Sequence, residues 1–353
     1  MTAHTSIRTV VRRRILALTG VLIVAALTVS CSAGAARTLP TPAAPTPRPT
    51  VAADGFATSG YRVHTDARDH YGRWELKDID AVIPLDDSNP NTLVDDDGAL
   101  IVHWPGYDDP VYHPVGFLNY TMNAIHAHDL TGDAEYLRRA IATATALRDG
   151  GTTVDGALWF AYPFEFAPHG EPALTMQAPW WSGMAQGQAL SAFSRLYART
   201  GDAMWRTAAE AVFATFTAVP ASGGPWFVDT SDGHLWFEEY AGEVAPLHVV
   251  NGHIYALLGL ADYDGMTADP VAQTLFDGGA TTILETFGTW RVPDGISYYC
   301  ASQYCADSAW QPPSYHRGVS AQLVTLAELT GDDRFRSDAE LLDQDYARSG
   351  ATG

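Results

Sequence analysis

The sequence predicts a mainly α-helical fold, an (α/α)4 toroid of four helical hairpins preceded by a small β-hairpin or β layer. Three observations favour it: four glycine-containing breaks recur along residues 111–348, helical periodicity flanks each break, and an aspartate able to cap a helix follows three of the glycines. Because a helical hairpin buries its apolar face only against a neighbour, four of them close most simply into a ring. An open solenoid is the alternative.

The N-terminal segment, residues 1–30, has the layout of a signal peptide. Four arginines precede an apolar run over residues 15–29 that is too short for a comfortable membrane-spanning helix. Residues 27–31 resemble a lipobox, which makes Cys31 a candidate lipidation site. Ordinary cleavage and an uncleaved anchor are the alternatives, and Arg12-Arg13 leaves both Sec and twin-arginine export open. We therefore predict an exported protein at the cell envelope or extracellular face.

A tether and a small β element follow the export signal. Residues 31–53 are rich in Pro, Ala and Thr, a composition that forms a semi-extended tether rather than a core. Over residues 54–110, short apolar stretches alternate with turn signals, and Asp95-Asp96-Asp97-Gly98 precedes an apolar run. This pattern predicts a β-hairpin with an acidic turn, with a calcium site as the less favoured interpretation.

Residues 111–348 contain the four predicted hairpins. Their breaks are centred on Gly132, Gly201, Gly265 and Gly331, which lie 69, 64 and 66 residues apart. Glycine can end a helix in the left-handed conformation, and Asp133, Asp202 and Asp332 can cap the helices that follow. Between the hairpins lie segments of about 25 to 35 residues, and loops of this length are usually functional.

Charge and cysteine content exclude some classes of function. The chain has 46% hydrophobic residues, 21 basic against 41 acidic residues and a net charge of -20, so a nonspecific nucleic-acid binder is excluded. Of three cysteines, Cys300 and Cys305 lie five apart, and export predicts that they form a disulfide. Two free thiols are the alternative.

The inter-hairpin segments concentrate aromatic and ionisable residues, and there the chain resembles a known family. Its motifs in order are Met184–Gln188, Trp236–Tyr240, Val250–Tyr255, Tyr298 after a glycine-rich turn, and Tyr315-His316 with Gln322. Over roughly residues 110–340 these are similar to the C-terminal domain of the D-glucuronyl C5-epimerase family, enzymes that invert glucuronic acid in heparan-type polysaccharides. The resemblance implies an (α/α) toroid behind a β element, a uronic-acid-containing polysaccharide as partner, and isomerase activity.

By the family's pattern, the resemblance also implies site residues. Glu239 and Tyr240 correspond to a functional carboxylate and phenol, and Tyr298 and Tyr315 to two further catalytic tyrosines; Tyr299, adjacent to Tyr298, is the alternative. We place Glu239 and Tyr240 on one face of the sugar ring and Tyr315 on the other. The predicted substrate-binding residues are Trp180, Trp181, Gln186, Gln188, Asn251, His253, His316, Arg317 and Arg291.

Epimerisation explains why such residues are wanted. Inverting C5 of a uronate removes a proton next to a carboxylate and returns one to the opposite face, so an acid and a base must flank the ring. The enolate-like intermediate carries extra negative charge, which donors or a cation must stabilise. Because the carbon is already acidified, we expect no cofactor and no metal.

One position departs from the family's pattern. Where the family has an arginine three residues after its tyrosine, this chain has Ala301, and Arg317 or Arg291 is the expected replacement. Removing the four arginines of residues 1–30 leaves 17 basic and 41 acidic residues, a net charge of -24 that repels polyanions. This favours a polymer less charged than sulfated heparan.

Two alternative functions remain from the sequence. A uronate polysaccharide lyase shares the C5 proton abstraction and then expels the 4-O substituent. A noncatalytic glycan-binding lipoprotein would keep the scaffold without turnover, and Ala301 favours that interpretation. In each case the expected contact with a membrane is through a lipid anchor alone.

Overall fold

A computed structural model describes residues 55–64, 82–86, 92–218 and 224–351, all within the compact unit Arg48–Gly353. The predicted signal peptide, the lipidation site Cys31 and the tether lie outside the described residues. Within the described part of the chain, no helix combines the length and apolar character needed to cross a membrane.

Nine α-helices are present in the described residues, and eight of them form four antiparallel hairpins. They are α1 Pro114–Thr131, α2 Ala134–Gly150, α3 Gly183–Thr200, α4 Ala203–Phe216, α5 Val250–Thr267, α6 Pro270–Trp290, the short α7 Gln303–Asp307, α8 Pro313–Thr330 and α9 Asp333–Ser349. The first helices of the hairpins pack side by side in chain order, α1 on α3, α3 on α5 and α5 on α8, and each packs on its own second helix. The predicted (α/α)4 toroid is confirmed.

Glycine and aspartate join the helices in three hairpins as the sequence predicts. Gly132, Gly201 and Gly331 adopt left-handed φ values of 70°, 67° and 69°, and each glycine's backbone N–H closes the preceding helix. The aspartate after each glycine accepts a hydrogen bond from the backbone N–H two residues further on. These side chains satisfy N–H groups that the first turn of a helix leaves without partners.

The third hairpin breaks later than predicted. Gly265 lies inside α5, and the helix ends at Ala268, which has a φ of 54°. Asp269 caps α6 by accepting from the N–H of Val271, and Pro270 occupies the first turn. Glycine inside a helix costs only about 1 kcal/mol, whereas an Asp-Pro pair is a strong helix start. The Asp-Pro signal therefore decides the break.

Close contact between α3 and α5 fixes the centre of the toroid. A Cβ atom on Gly187 would lie 2.3 Å from the Cα of Ala256, and one on Gly259 would lie 2.0 Å from the carbonyl oxygen of Gly187. Only glycine lets the two backbones approach this closely. The close crossing sets the positions of the N-terminal ends of both helices, next to which the site lies.

The regular strands lie between the hairpins. Strand β1 (Thr152–Val154) pairs with β2 (Ala157–Trp159), and β3 (Val228–Asp229) pairs with β4 (Trp236–Phe237), both antiparallel. In the described part of residues 54–110, a single antiparallel bridge joins Val94 and Leu100 across the predicted acidic turn. There Asp95 accepts from the N–H groups of Asp97 and Ala99, so its carboxylate stabilises the turn.

An extended N-terminal segment is attached to the outside of the toroid. Asp277 on α6 accepts hydrogen bonds from the backbone N–H groups of Ser59, Gly60 and Tyr61. The N–H of His64 then donates to the carbonyl of Leu329 near the end of α8. These contacts hold residues 55–64 against α6 and the α8–α9 turn.

Candidate active site

The three inter-hairpin segments singled out in the sequence are joined to one another by backbone hydrogen bonds. Trp181 of the first segment and Ala241 of the second exchange two bonds of 2.9 Å. Val249 of the second segment bridges Cys300 of the third. The loops before α3, α5 and α8 therefore form one connected surface at one end of the inner helices.

A carboxylate and two phenols form a hydrogen-bonded cluster within this surface. The hydroxyl of Tyr299 donates to Oε1 of Glu239 at 3.2 Å and lies 3.0 Å from the hydroxyl of Tyr240. The ring of Tyr315 meets that of Tyr299 edge-on, with centroids 4.8 Å apart. The structure thus brings together three of the four predicted catalytic residues through Tyr299.

Solvent exposure is low at Glu239 and Tyr299 and is highest at Tyr315. Glu239 and Tyr299 are 8% and 4% exposed, Tyr240 is half-buried, and Tyr315 is 43% exposed. Oε2 of Glu239 has no hydrogen-bond partner among the described residues. The carboxylate therefore keeps one unpartnered oxygen, which is buried beside Gly252 at the inner end of a cluster that reaches solvent at Tyr315.

Burial sets the protonation of the cluster. Loss of water raises the pKa of Glu239 to about 7, opposed by hydrogen bonds from Tyr240 and Tyr299 and reinforced by the charge of Glu238. Burial, together with the charge of Glu239, raises the pKa of Tyr240 and Tyr299 well above the usual value for phenols. Near pH 7, Glu239 can gain or lose a proton, while both phenols remain donors.

Tyr298 lies apart from this cluster. Its backbone N–H donates to the carbonyl of Trp290, its side chain packs half-buried at the edge of the core, and no described hydrogen bond links its hydroxyl to Glu239. The N–H of the adjacent Tyr299 donates instead to the carbonyl of Trp310, and its hydroxyl reaches Glu239. Tyr299 rather than Tyr298 therefore faces the carboxylate.

The disulfide predicted for the third segment is present. Cys300 and Cys305 are bonded, with Cα atoms 5.6 Å apart, and both are buried. Trp310 closes the same loop, because its N–H donates to the carbonyl of Cys305 and its carbonyl accepts from the N–H of Tyr299. The disulfide thus stiffens the loop that carries Tyr299.

The two tryptophans form a wall beside the cluster. Trp180 is 3% exposed, stacks on Tyr162 with centroids 3.8 Å apart, and donates from Nε1 to the carbonyl of Phe164. Trp181 is half-buried and pairs through its backbone with Ala241. The substrate contacts predicted for Trp180 and Trp181 stay predictions. Trp181 is the more accessible of the two side chains.

Gln186 and Gln188 lie buried on α3. The amide of Gln186 bonds to the backbone of Leu158 and Phe160 and so attaches β2 to the helix. The Nε2 of Gln188 donates to Asn119 on α1, while its Oε1 has no partner among the described residues. Gln186 thus acts within the fold, and Gln188 keeps one buried acceptor without a partner among the described residues.

His253 and His316 are buried and bonded through both ring nitrogens. Nδ1 of His253 accepts from the N–H of Phe237 and Nε2 faces the carbonyl of Gly279, and burial lowers its pKa to about 4. His316 accepts from the N–H of Ser297, and its Nε2 lies 2.8 Å from the carbonyl of Leu342. These bonds fix the orientation of both rings, which hold β4 and the glycine-rich turn.

The arginines expected to bind a carboxylate have other partners. Arg291 pairs with the buried Asp345 at 2.7 Å, and the guanidinium of Arg317 lies 5.5 Å from the ring centroid of Tyr346. Asn251, at the start of α5, keeps an unpartnered Oδ1 among the described residues and accepts from Gln322 through its carbonyl. Both arginines therefore contact α9, and none of the described contacts joins them to Glu239.

Sequence reasoning left several participants unassigned. Tyr299 was the alternative to Tyr298, and its hydrogen bond to Glu239 is the observation that separates them. Gly252 is required because a Cβ there would lie 2.3 Å from Oε2 of Glu239. Glu238 and His248 form a second buried polar group beside Glu239, and no periodic pattern marks it.

No group of three or more His, Cys, Asp or Glu in residues 55–64, 82–86, 92–218 and 224–351 is arranged to hold a metal.

Comparisons with known proteins identify a matching family and a distant relative. The family model for the D-glucuronyl C5-epimerase C-terminus matches residues 155–342, just over half of the chain. An uncharacterized protein of Methanocaldococcus jannaschii is 27% identical over 180 residues, covering 49% of this chain and 53% of that protein. The chain spans about half the length of this curated relative.

Solved structures of sugar isomerases and epimerases are similar to this chain at low sequence identity. A D-mannose isomerase is 14% identical with a TM-score of 0.50, over 72% of this chain and 63% of that one. The cellobiose 2-epimerase from Spirochaeta thermophila is 14% identical with a TM-score of 0.43, over 66% of this chain and 57% of that one.

Proposed function

Since this chain belongs to the D-glucuronyl C5-epimerase C-terminus family, we propose that it inverts C5 of glucuronate-type residues in a uronic-acid-containing polysaccharide. The observation that carries the proposal is the cluster of Glu239, Tyr240, Tyr299 and Tyr315. It supplies one group able to accept a proton near neutral pH and three phenols. These are the functional groups that two-sided proton transfer at C5 requires.

Glu239 is the proposed base. Its pKa of about 7 makes the anion available at neutral pH while keeping it more basic than an ordinary carboxylate. The C5–H bond breaks, the proton passes to the carboxylate, and the electron pair moves into the enolate of the substrate's carboxyl group. Tyr240 and Tyr299 hold their protons tightly and can donate hydrogen bonds to the negative charge that develops.

Tyr315 is the proposed acid on the opposite face. Its hydroxyl gives a proton to C5, the enolate electron pair forms the new C–H bond, and the phenol regains a proton from solvent at its exposed position. Glu239 loses its proton in turn to complete the cycle. The reverse reaction uses the same groups in exchanged roles, so substrate and product interconvert without a cofactor.

The charges around the cluster bear on the substrate. Arg291 and Arg317 contact α9, and the chain as a whole carries a net charge of -20. A densely sulfated polymer would be repelled by this field. We therefore propose that an unsulfated or sparsely charged uronate polymer is the substrate.

Incubation in D₂O with a panel of uronate polymers tests the function. Epimerisation exchanges the C5 hydrogen for deuterium and leaves the chain length unchanged, which NMR detects. A lyase instead produces an unsaturated chain end that absorbs ultraviolet light. Binding without exchange, unaffected by Tyr315→Phe, identifies a glycan-binding protein and rejects the epimerase proposal.

We also propose export and lipidation at Cys31, within the segment of residues 1–30 and the tether that follows. Labelling of the full chain with a fatty-acid analogue in a bacterial host tests this proposal. We expect label in the wild type and none in Cys31→Ala, and label retained in Cys31→Ala rejects the assignment.

A further inference from the structure

A second buried polar group lies directly behind Glu239. Glu238 is fully buried, and its carboxylate accepts from the N–H of Leu247 at 3.0 Å and from the N–H of His248 at 3.0 Å. Nε2 of His248 in turn lies 2.9 Å from Oδ2 of Asp229. Asp229, His248 and Glu238 form a chain that starts on β3 and ends one peptide bond from Glu239.

The side chain of Glu238 joins the two ends of the loop that follows it in the chain. Its backbone is held between two segments, since its N–H donates to Phe227 and its carbonyl accepts from Gly183. Its carboxylate binds the backbone of residues 247 and 248. Residues 239–246, which include Glu239 and Tyr240, therefore form a loop whose two ends are joined by the Glu238 side chain.

His248 has an unfavourable backbone conformation. Its φ is 58°, in the left-handed region that costs a non-glycine residue roughly 1–2 kcal/mol. The surrounding contacts maintain it, because the ring stacks on Trp236 at 4.8 Å with an interplanar angle of 4° and bonds to Asp229. Such strain persists where neighbouring structure fixes the residue.

The same residue reaches the segment that carries Tyr299. The carbonyl of His248 accepts from the N–H of Ala301 at 3.0 Å, and Ser302 donates to the carbonyl of Leu247. One residue thus contacts Glu238 through its N–H, Asp229 through its ring and the disulfide loop through its carbonyl. These three contacts link the segment of Glu239 to the segment of Tyr299.

We propose that His248 is a positioning residue that holds the Glu239–Tyr240 pair in register with Tyr299, through the chain from Asp229 to Glu238. The kinetic test of this inference depends on the proposed epimerase function, whereas its structural test by amide exchange does not. Correct placement matters because a misplacement of about 1 Å between reacting groups can reduce a rate roughly a hundredfold. Residues that orient metal ligands through hydrogen bonds typically affect activity about 10- to 100-fold, and we expect an effect of similar size for a residue that orients a catalytic carboxylate.

Charge supports the same arrangement. The groups that face His248 are Asp229 and Asp232 around the β3–β4 turn, Glu238 on the loop after β4 and His253 on α5. Burial lowers the pKa of His248, but the hydrogen bond to Asp229 and the charges of Glu238, Asp229 and Asp232 outweigh burial and raise it. A protonated ring can therefore bind Asp229 and compensate the buried Glu238 together.

His248→Asn tests the proposal with His234→Asn as its matched control. Asparagine tolerates a left-handed backbone but removes the ring, its stack and its bond to Asp229. His234, on the same β3–β4 turn, contacts Asp232 and Glu285 and makes none of the described contacts to residues 238–248. Asp229→Asn is the second variant, since it keeps an acceptor for the ring but removes the charge.

For the full chain, kcat, KM and the pH profile of C5 exchange are measured together with amide hydrogen exchange. In His248→Asn we expect kcat to fall about 10- to 100-fold with KM within about twofold, and faster amide exchange over residues 238–248 and 298–302. In Asp229→Asn the alkaline decline in kcat moves to lower pH. His234→Asn behaves as wild type.

Two results overturn the proposal. One is a kcat in His248→Asn within twofold of wild type, and the other is amide exchange at residues 298–302 that does not change. If the wild type exchanges no C5 hydrogen on any polymer, the proposed function fails, and the amide-exchange comparison still decides the positioning role. If His248→Asn does not fold, Asp229→Asn gives both the pH profile and the amide exchange.

Discussion

The hydroxyl of Tyr299 donates a hydrogen bond of 3.2 Å to Oε1 of Glu239, which joins a residue after β4 to a residue before α7. The two lie 60 positions apart in the chain and are both buried. A carboxylate bonded in this way is fixed in orientation, and its other oxygen is buried without a hydrogen-bond partner among the described residues. The phenol thus aims the carboxylate as well as stabilising its charge.

Removing this hydrogen bond distinguishes the two adjacent tyrosines. We expect Tyr299→Phe to lower the C5 exchange rate about 100-fold, because it removes a donor to the developing charge. Tyr298→Phe is the matched control and should lie within about threefold of wild type. The measurement is deuterium incorporation at C5 at saturating polymer, and a larger loss in Tyr298→Phe would return the catalytic assignment to Tyr298.

The pH dependence of the rate should follow the carboxylate. A base with a pKa of about 7 must lose its proton to act, so the exchange rate rises as pH increases from about 5 through about 7, and it declines at alkaline pH where His248 loses its proton. The measurement is kcat against pH for wild type and Tyr299→Phe. Because that variant loses a bond favouring the anion, its midpoint should move to higher pH, and a midpoint near 4.5 in wild type contradicts the assignment.

The same raised pKa predicts a dependence of stability on pH. Glu239 binds its proton more tightly when folded, so its contribution to the free energy of unfolding is fully present below the ordinary pKa of about 4.5 and is lost as pH rises through about 7. Glu239→Gln removes this loss. Its stability relative to wild type should grow by about 2–3 kcal/mol between pH 4 and pH 8, measured by urea unfolding. A difference that is constant with pH would show that Glu239 is not buried as described.

How far the sequence predicts this molecule depends on whether a feature is local. The turns at Gly132, Gly201 and Gly331 are local, because the left-handed glycine ends one helix and the aspartate after it caps the next. The third turn was wrong by three residues because two local signals, Gly265 and Asp269-Pro270, compete and the second is stronger. The disulfide within residues 300–305 is local as well, and it was predicted.

Features that depend on contacts distant in the chain were not predictable. Gly187 and Gly259 look like ordinary helix residues until α3 and α5 are packed, and only then is the absence of a Cβ required. His253 and His316 were expected at the sugar, but bonds to backbone groups 16 and 19 residues away engage Nδ1 of each ring. Their roles at the substrate stay predictions.

The α3–α5 crossing should be the position most sensitive to small substitutions. Gly187→Ala places a methyl group 2.3 Å from backbone atoms that cannot move independently, and we expect a loss of about 3 kcal/mol or more in the free energy of unfolding. Gly288→Ala on α6 is the control, because nothing lies within 4 Å of its added Cβ. There alanine should be neutral or stabilise by up to about 1 kcal/mol. Equal thermal midpoints for the two variants would contradict the close crossing.

The disulfide should matter more for activity than for stability. Replacing Cys300 and Cys305 by alanine opens a small ring, which costs about 2 kcal/mol in the chain-entropy model. The loop that carries Tyr299 becomes freer, so we expect the C5 exchange rate to fall about tenfold at a temperature where the variant is fully folded. Circular dichroism and deuterium incorporation on one sample separate the two effects, and an unchanged rate argues against the loop's positioning role.

Gly252 offers the most direct test that the position of Glu239 controls the reaction. It lies in the first turn of α5, where alanine is conformationally acceptable, yet an added Cβ would lie 2.3 Å from Oε2 and 2.8 Å from Cβ of Glu239. The far end of the carboxylate can rotate away, so Gly252→Ala should fold while displacing the proposed base. Rotation would disturb the bond to Tyr299, and we expect the rate to fall about 100-fold with KM little changed.

Gly288→Ala controls for the change in helix propensity. The double variant Gly252→Ala with Glu239→Gln should be no slower than Glu239→Gln alone, because both changes act on the same carboxylate. A further loss in the double variant would show that Gly252 affects the reaction by another route.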